Sequence, residues 1–184
     1  GTVGAAQGVD KLIRAADNFK NNENIKFHIV GDGSELQNCK QLAHEIGVDN
    51  VVFYGWKSSS EMADLFKKAD VMVVSLEEGK VPEMTLPHKV QTYLSAGKPV
   101  FAIAKGETKE IIEKSGAGFV CENICEDGIK QAIGKIFEEV KLNSEILKEK
   151  SVKAREFYLK NFTENTFFSK LFEQIDAVVE NWKK

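Results

Sequence analysis

The sequence predicts an α/β fold: a doubly wound, Rossmann-like parallel sheet with C-terminal helices. Three observations carry this. Short apolar runs recur along the chain, at residues 25–30, 51–54, 71–76, 99–104 and 118–121. The segments between them repeat apolar residues at helical spacing. Glycines punctuate the junctions, as in Gly31-Asp32-Gly33 and Gly55. Continuous apolar strands alternating with amphipathic helices specify a parallel sheet covered on both faces, with right-handed crossovers.

The elements follow in order. Gly1 to Gly8 is a glycine-rich turn of the kind that follows the first strand of such a sheet, so that strand is expected to be missing from the sequence. Val9 to Phe19 places Leu12, Ile13, Ala16 and Phe19 on one helical face. Ile25 to Val30 reads as a buried strand, and Ser34 as the cap of a helix carrying Leu36, Leu42, Ala43 and Ile46 up to Gly47. Val51 to Tyr54 is the next strand. Ser60 is expected to cap a helix that carries Glu61 and Asp64 and ends near Ala69. Val71 to Leu76 is a strand with almost no polar interruption. A loop holding Glu77, Glu78 and Glu83 leads to a helix opened by Thr85 and Pro87 and closed by Gly97. Pro99 to Ala104 is a strand, Thr108 to Gly116 a helix, and Gly118 to Cys121 a short strand. From Gly128 onward the pattern is helical, with pauses near Asn143 and at 161–163.

Composition narrows the function classes. A chain of 184 residues with 42% hydrophobic residues builds one substantial core, or one core with a helical tail. A net charge of −3 argues against nucleic acid as a partner. No apolar run approaches the roughly 20 residues needed to span a bilayer. No signal peptide opens the sequence, so a cytoplasmic segment is expected. Cys39, Cys121 and Cys125 lack the companions of a four-ligand metal site, which predicts reduced thiols and no bound metal. His28, inside an apolar run, reads as structural rather than catalytic.

The candidate chemistry gathers around residues 85–100. A helix start exposes backbone N–H groups and a partial positive charge, and so attracts anions. Lys89 in that first turn strengthens the attraction while opposing the helix; read alone, a solvated lysine is the plainer account. Gly31-Asp32-Gly33 follows a strand and precedes a helix, a context that suits phosphate approach or simply a tight turn. The full dinucleotide fingerprint wants another glycine where Leu36 stands, so a nicotinamide site rests on this turn alone. Gly4 offers similar close approach. Ligands of open parallel sheets bind beyond the carboxyl ends of the strands, where Glu77, Glu78 and Glu83 fall. For two of these three, a solvated acidic loop is the simpler reading.

In this order and spacing, Gln7–Ile13, Val30–Gly33, Val51–Gly55, Ala69–Ser75, Thr85–Val100 and Gly116–Val120 resemble the nucleotide-sugar-binding half of the GT-B glycosyltransferases, in particular the large retaining family 4. The 85–100 segment is similar to the P-S-K-V-Q-S-Y-L form of bacterial O-antigen, capsule and colanic-acid enzymes. The resemblance implies the C-terminal, donor-binding domain of a two-domain enzyme, with residues 1–160 forming the Rossmann-like unit. Residues 161–184 would be a helix packing back toward an N-terminal, acceptor-binding domain. It implies transfer of a sugar from a nucleotide-diphosphate donor, most simply a UDP-sugar, to a lipid-linked saccharide at the cytoplasmic membrane face. No cofactor or metal is implied. A UDP-sugar epimerase of the same fold, a nicotinamide oxidoreductase domain and a non-catalytic binding module are the alternatives.

By the same resemblance Lys89 would stabilise the leaving diphosphate and Glu83 would meet a donor-sugar hydroxyl. Met84, Thr85 and Leu86 would line the sugar, and Trp56 and Lys57 the base. Gly4, Gln7, Gly31, Asp32 and Gly33 would approach the phosphates. The pattern departs from many family members at Thr2 and Gln7, where Arg and Lys commonly hold the diphosphate. It departs again at Thr92, where a glutamate commonly grips the ribose. These departures move the expected phosphate contact toward Lys89 and leave Thr92 a weaker hydroxyl bond.

Overall fold

A computed structural model describes residues 1–182. A single 3₁₀ turn (Ala5–Gln7) leads into α1 (Val9–Asp17), β1 (Phe27–Val30), α2 (Leu36–Glu45), β2 (Val51–Gly55), α3 (Ser59–Lys68) and β3 (Met72–Ser75). Then come α4 (Lys80–Glu83), α5 (His88–Ser95), β4 (Val100–Ile103), α6 (Gly106–Ser115), β5 (Gly118–Val120), α7 (Glu126–Leu142), α8 (Ile146–Asn161) and α9 (Glu164–Trp182). The expected alternation holds and every strand pair is parallel.

The five strands do not form one continuous sheet. β1 pairs with β2, and β3, β4 and β5 form a second sheet in that order. The register runs Phe27↔Val51 in the first and Met72↔Val100 and Val100↔Gly118 in the second. Thr2 adds an isolated parallel bridge to Asp32, just past the end of β1. α1 ties the two sheets together. Its Ile13 and Ala16 pack with Ile29, Leu36, Cys39 and Val51. Its Leu12 and Ala15 pack with Phe101, Ile103, Ile129 and Ile133, against which Phe27, Val71 and Val73 also lie.

β4 shows why its residues are all apolar. Phe101 and Ile103 face α1 and α7, while Val100 and Ala102 face Val90, Leu94, Ile112 and Ala154 from α5, α6 and α8. Both faces are covered, so alternation of polarity has no role there. Gly118 is required beside it, because a Cβ would come within 1.9 Å of the Val100 carbonyl oxygen.

Several boundaries move from the expected positions, each for a local reason. Ser58, not Ser60, caps α3: its hydroxyl accepts from the Glu61 amide, and the Glu61 carboxylate accepts from the Ser58 amide at 2.9 Å. That reciprocal box holds the Glu61 carboxyl down to about 2, first through the Ser58 hydroxyl. Ser34 caps nothing; it lies exposed in the turn before α2, which Glu35 opens. α6 begins at Gly106 rather than Thr108, and Thr108 is fully buried with its hydroxyl donating to the Thr85 carbonyl at 3.3 Å. α7 begins at Glu126, with the Cys125 sulfur accepting from the Gly128 amide. The acidic loop contains a short helix, α4, and α5 begins only at His88, with Pro87 as the cap. Lys98 donates to the carbonyls of Lys67 and Ala69 and so terminates α3 from outside.

Candidate functional site

The carboxyl ends of β1 and β3, the first turn of the chain and the start of α5 converge on one surface. The chain start is stitched to both strands. Val3 donates to the Asp32 carbonyl at 2.9 Å, Gly1 donates to Val30, and Glu77 donates to the Ala6 carbonyl at 2.9 Å. The Glu77 carboxylate then turns back to Lys11 at 2.5 Å. It lies so close to Gly8 that a Cβ there would sit 2.4 Å from its oxygen, and Gly8 has a positive φ of 52°. Glu77 thus fixes the end of the glycine-rich turn where it runs into α1. Its neighbour Glu78 pairs with Lys105 at 2.7 Å. Both carboxylates are structural, and the sequence signal for the first pair was only a carboxylate at a strand end.

Lys89 stands beside the first residue. A Cβ on Gly1 would lie 3.7 Å from its Nζ. The side chain is half-buried, and burial alone pushes its ammonium below the ordinary lysine range; no carboxylate contributes. The Lys89 ammonium thus stands in a partly dry place with no counter-charge among the described residues. The amides of α5's first turn add their partial positive charge to it. α5 is held rigidly there: Val90 and Leu94 are fully buried, and Arg155 of α8 donates to the Ser95 carbonyl at its far end.

The other expected residues distribute unevenly. Gln7 accepts from the Gly4 amide at 3.0 Å, which shapes the turn. Gly31 and Gly33 face the chain's own backbone: a Cβ would meet the Gly1 carbonyl oxygen at 1.6 Å and that of Val3 at 2.3 Å. The glycine requirement is thereby explained by chain packing, which removes the feature that favoured a dinucleotide. Asp32 accepts from the Gly33 amide at 2.8 Å. Lys57 is engaged by Glu61 at 3.0 Å, and Trp56 beside it is 73% exposed. Met84 is 84% exposed, and Leu86 packs partly into the core below α5.

Glu83 contributes nothing to the Lys89 ammonium; its charge is felt by Lys105. Its backbone is pressed against Gly106, where a Cβ would come within 2.0 Å of the carbonyl oxygen. The Thr85 hydroxyl donates to Val81 at 2.6 Å and that of Thr92 to His88 at 3.1 Å, so both protons are used within their own turns. His28 is exposed, with Nδ1 2.9 Å from the Tyr54 hydroxyl. Among the described residues, no cluster of three or more metal-ligating side chains occurs, and no helix is long and apolar enough to cross a membrane.

A sheet-end turn, an anion-attracting helix start and a half-buried lysine define a Rossmann-like domain suited to a phosphorylated ligand. The family model for glycosyl transferases group 1 matches residues 1–152, and the chain belongs to that family. The probable glycosyltransferase WbjE of Pseudomonas aeruginosa is 30% identical over 123 residues, covering 66% of this chain and 30% of that protein. The putative colanic acid biosynthesis glycosyl transferase WcaI of Escherichia coli is 28% identical over 109 residues, covering 59% and 26%. The chain thus spans less than a third of either relative. Anabaena HepE, solved in complex with UDP, superposes with a TM-score of 0.78 at 17% identity, over 96% of this chain and 47% of that one. The C-terminal domain of the group 1 glycosyl transferase LpcC of Francisella tularensis gives 0.69 at 15% identity, over 89% and 84%. The fold is the Rossmann-like half of a GT-B architecture.

Proposed function

We propose that this domain binds the nucleotide-diphosphate sugar donor, a UDP-sugar, of a glycosyltransferase that extends a lipid-linked saccharide for a bacterial surface polysaccharide. The carrying observation is the half-buried Lys89 ammonium, without a carboxylate partner among the described residues, at the start of α5. A diphosphate leaving group gains negative charge as the glycosidic bond breaks. A cation and helix amides already fixed in place stabilise that charge without reorganising. The reading invokes no metal or cofactor. Thr85, Leu86 and Met84 precede this helix and would face the sugar; Glu83 would reach a hydroxyl by leaving its contact with the Gly79 amide. The names of WbjE and WcaI support the reaction class, and the UDP complex of HepE supports the nucleotide. The acceptor-binding half would lie outside residues 1–184, with α9 packing back onto it.

Calorimetry tests the donor site directly. UDP should bind this chain and NADH should not, and Lys89→Ala should weaken UDP at least about tenfold. In the complete enzyme the same substitution should lower turnover about 100-fold, the scale of losing one donor to a developing oxyanion. Near-normal turnover would remove Lys89 from the mechanism.

A further inference from the structure

The segment that leads into α5 presents an apolar pair to solvent. Val81 and Met84 lie three residues apart on one side of the α4 turn and are 76% and 84% exposed. The backbone that carries them is fixed. Glu83 donates to the Gly79 carbonyl at 3.0 Å and Thr85 to the Pro82 carbonyl at 3.2 Å. Gly106 abuts the Glu83 carbonyl, and the Thr108 hydroxyl holds the Thr85 carbonyl. The polar side chains nearby are unevenly engaged. The Thr85 hydroxyl gives its proton to the Val81 carbonyl at 2.6 Å, and that of Thr92 goes to His88 at 3.1 Å. Glu83 is held loosely: its carboxylate accepts from the Gly79 amide at 3.4 Å, the long end of the range. This stretch therefore offers two apolar side chains and one carboxylate able to accept further bonds, a few residues ahead of Lys89.

We propose that the sugar carried by the donor is an acetamido sugar, an N-acetylated hexosamine. This inference rests on the donor reading above. The acetamido methyl packs on Met84 and Val81. The amide N–H donates to one oxygen of Glu83, whose other oxygen stays free for a neighbouring hydroxyl. A plain hexose brings a hydroxyl to the place of that methyl, and a hydroxyl against Met84 and Val81 loses water without gaining a bond. A 6-deoxy sugar brings a methyl but no N–H for Glu83. The size of the pair also selects the occupant. A stable protein interface buries about 800 Å² on each side. Two side chains flanked by the exposed Lys80 fall far short of that, and they suit one methyl group. Because the segment is pinned from α6, the pair is in place before the donor arrives, so little ordering opposes the contact.

Calorimetry on this chain with matched donors tests the inference. UDP-N-acetylglucosamine is compared with UDP-glucose, and UDP-N-acetylgalactosamine with UDP-galactose, so that either ring configuration is covered. The larger of the two affinity ratios should be at least about tenfold, the low end for one added carbon in an apolar contact. Met84→Gln and Val81→Thr, both at exposed positions, should each reduce that ratio, and the double variant should bring it to within about twofold of one. Ratios near one in the unaltered chain overturn the proposal. So does a ratio that survives in the double variant, because the acetamido group is then read elsewhere. UDP-6-deoxyglucose binding as tightly as the better acetamido donor overturns it too, since a bare methyl is then sufficient. UDP alone separates the two levels of the argument. If UDP fails to bind, the donor reading falls and takes this inference with it; if UDP binds without any acetamido preference, this inference alone falls.

Discussion

Lys89 carries the most consequence per side chain. Its ammonium is lowered by burial, so its folded-state pKa lies below its unfolded one. A lysine shifted this way binds fewer protons in the folded state than in the unfolded state between the two pKa values. Stability contributed by this group therefore rises with pH through that window. Anion binding has the opposite dependence. UDP affinity should fall as pH climbs through the lowered Lys89 pKa, before an ordinary lysine would lose its proton. In Lys89→Arg the affinity should persist to higher pH, because arginine keeps its charge. Calorimetric titrations across the alkaline range would read both curves, and coincident curves would detach the pH dependence from this side chain. The sequence made Lys89 conspicuous because a cation opposes the helix start. It was silent on the pairing of Glu77 with Lys11, since an ion pair spanning 66 positions leaves no local spacing to read.

At the scale of elements, α4, α5 and α6 form one support for the segment 83–87. Gly106 opens α6 with φ 62° and touches the Glu83 backbone, and Thr108 anchors the Thr85 carbonyl. Gly106→Ala would force both a strained backbone and a collision with residue 83. It should cost at least about 2 kcal/mol, read as a Tm loss of roughly 4–8 °C, and weaken donor binding together with it. A loss of stability with unchanged UDP affinity would separate the loop from the site. Element type was legible in the sequence because each strand is a short apolar run and each helix has one apolar face. Starts were less legible. Ser58 and Ser60 are both plausible caps, and only the reach of Glu61 back to the Ser58 amide decides between them. Thr108 looked like the start of the helix, yet α6 opens at Gly106 and the Thr108 hydroxyl is used inside the core. The break between the two sheets could not be read from any run of residues, because pairing partners are set by chain topology.

Over the whole molecule the distribution of exposed apolar surface is uneven. Phe167, Phe168, Leu171, Phe172, Ile175, Val178 and Trp182 are all exposed along α9. A helix that buries so little within the domain contributes little to its stability. Deleting residues 164–184 should therefore change Tm by less than about 3 °C and leave UDP affinity unaltered. A collapse of the fold on truncation would show that α9 belongs to the core. If α9 packs onto the acceptor half as proposed, the same deletion in the complete enzyme should abolish transfer. The helical tail was legible from its periodicity, but the exposure of its apolar face was not, because burial depends on packing that a local pattern does not record.

The bond from Glu77 to Ala6 and the ion pair to Lys11 also set an order of events during biosynthesis. Residue 11 leaves the synthetic machinery 66 positions ahead of residue 77, an interval of roughly 3–13 s at ordinary elongation rates. Through that interval the glycine-rich turn has no carboxylate to close on. The glycine-rich turn is thus made first in this sequence but cannot close until residue 77 has followed. Nascent chains shorter than residue 77 should leave that turn open to proteases.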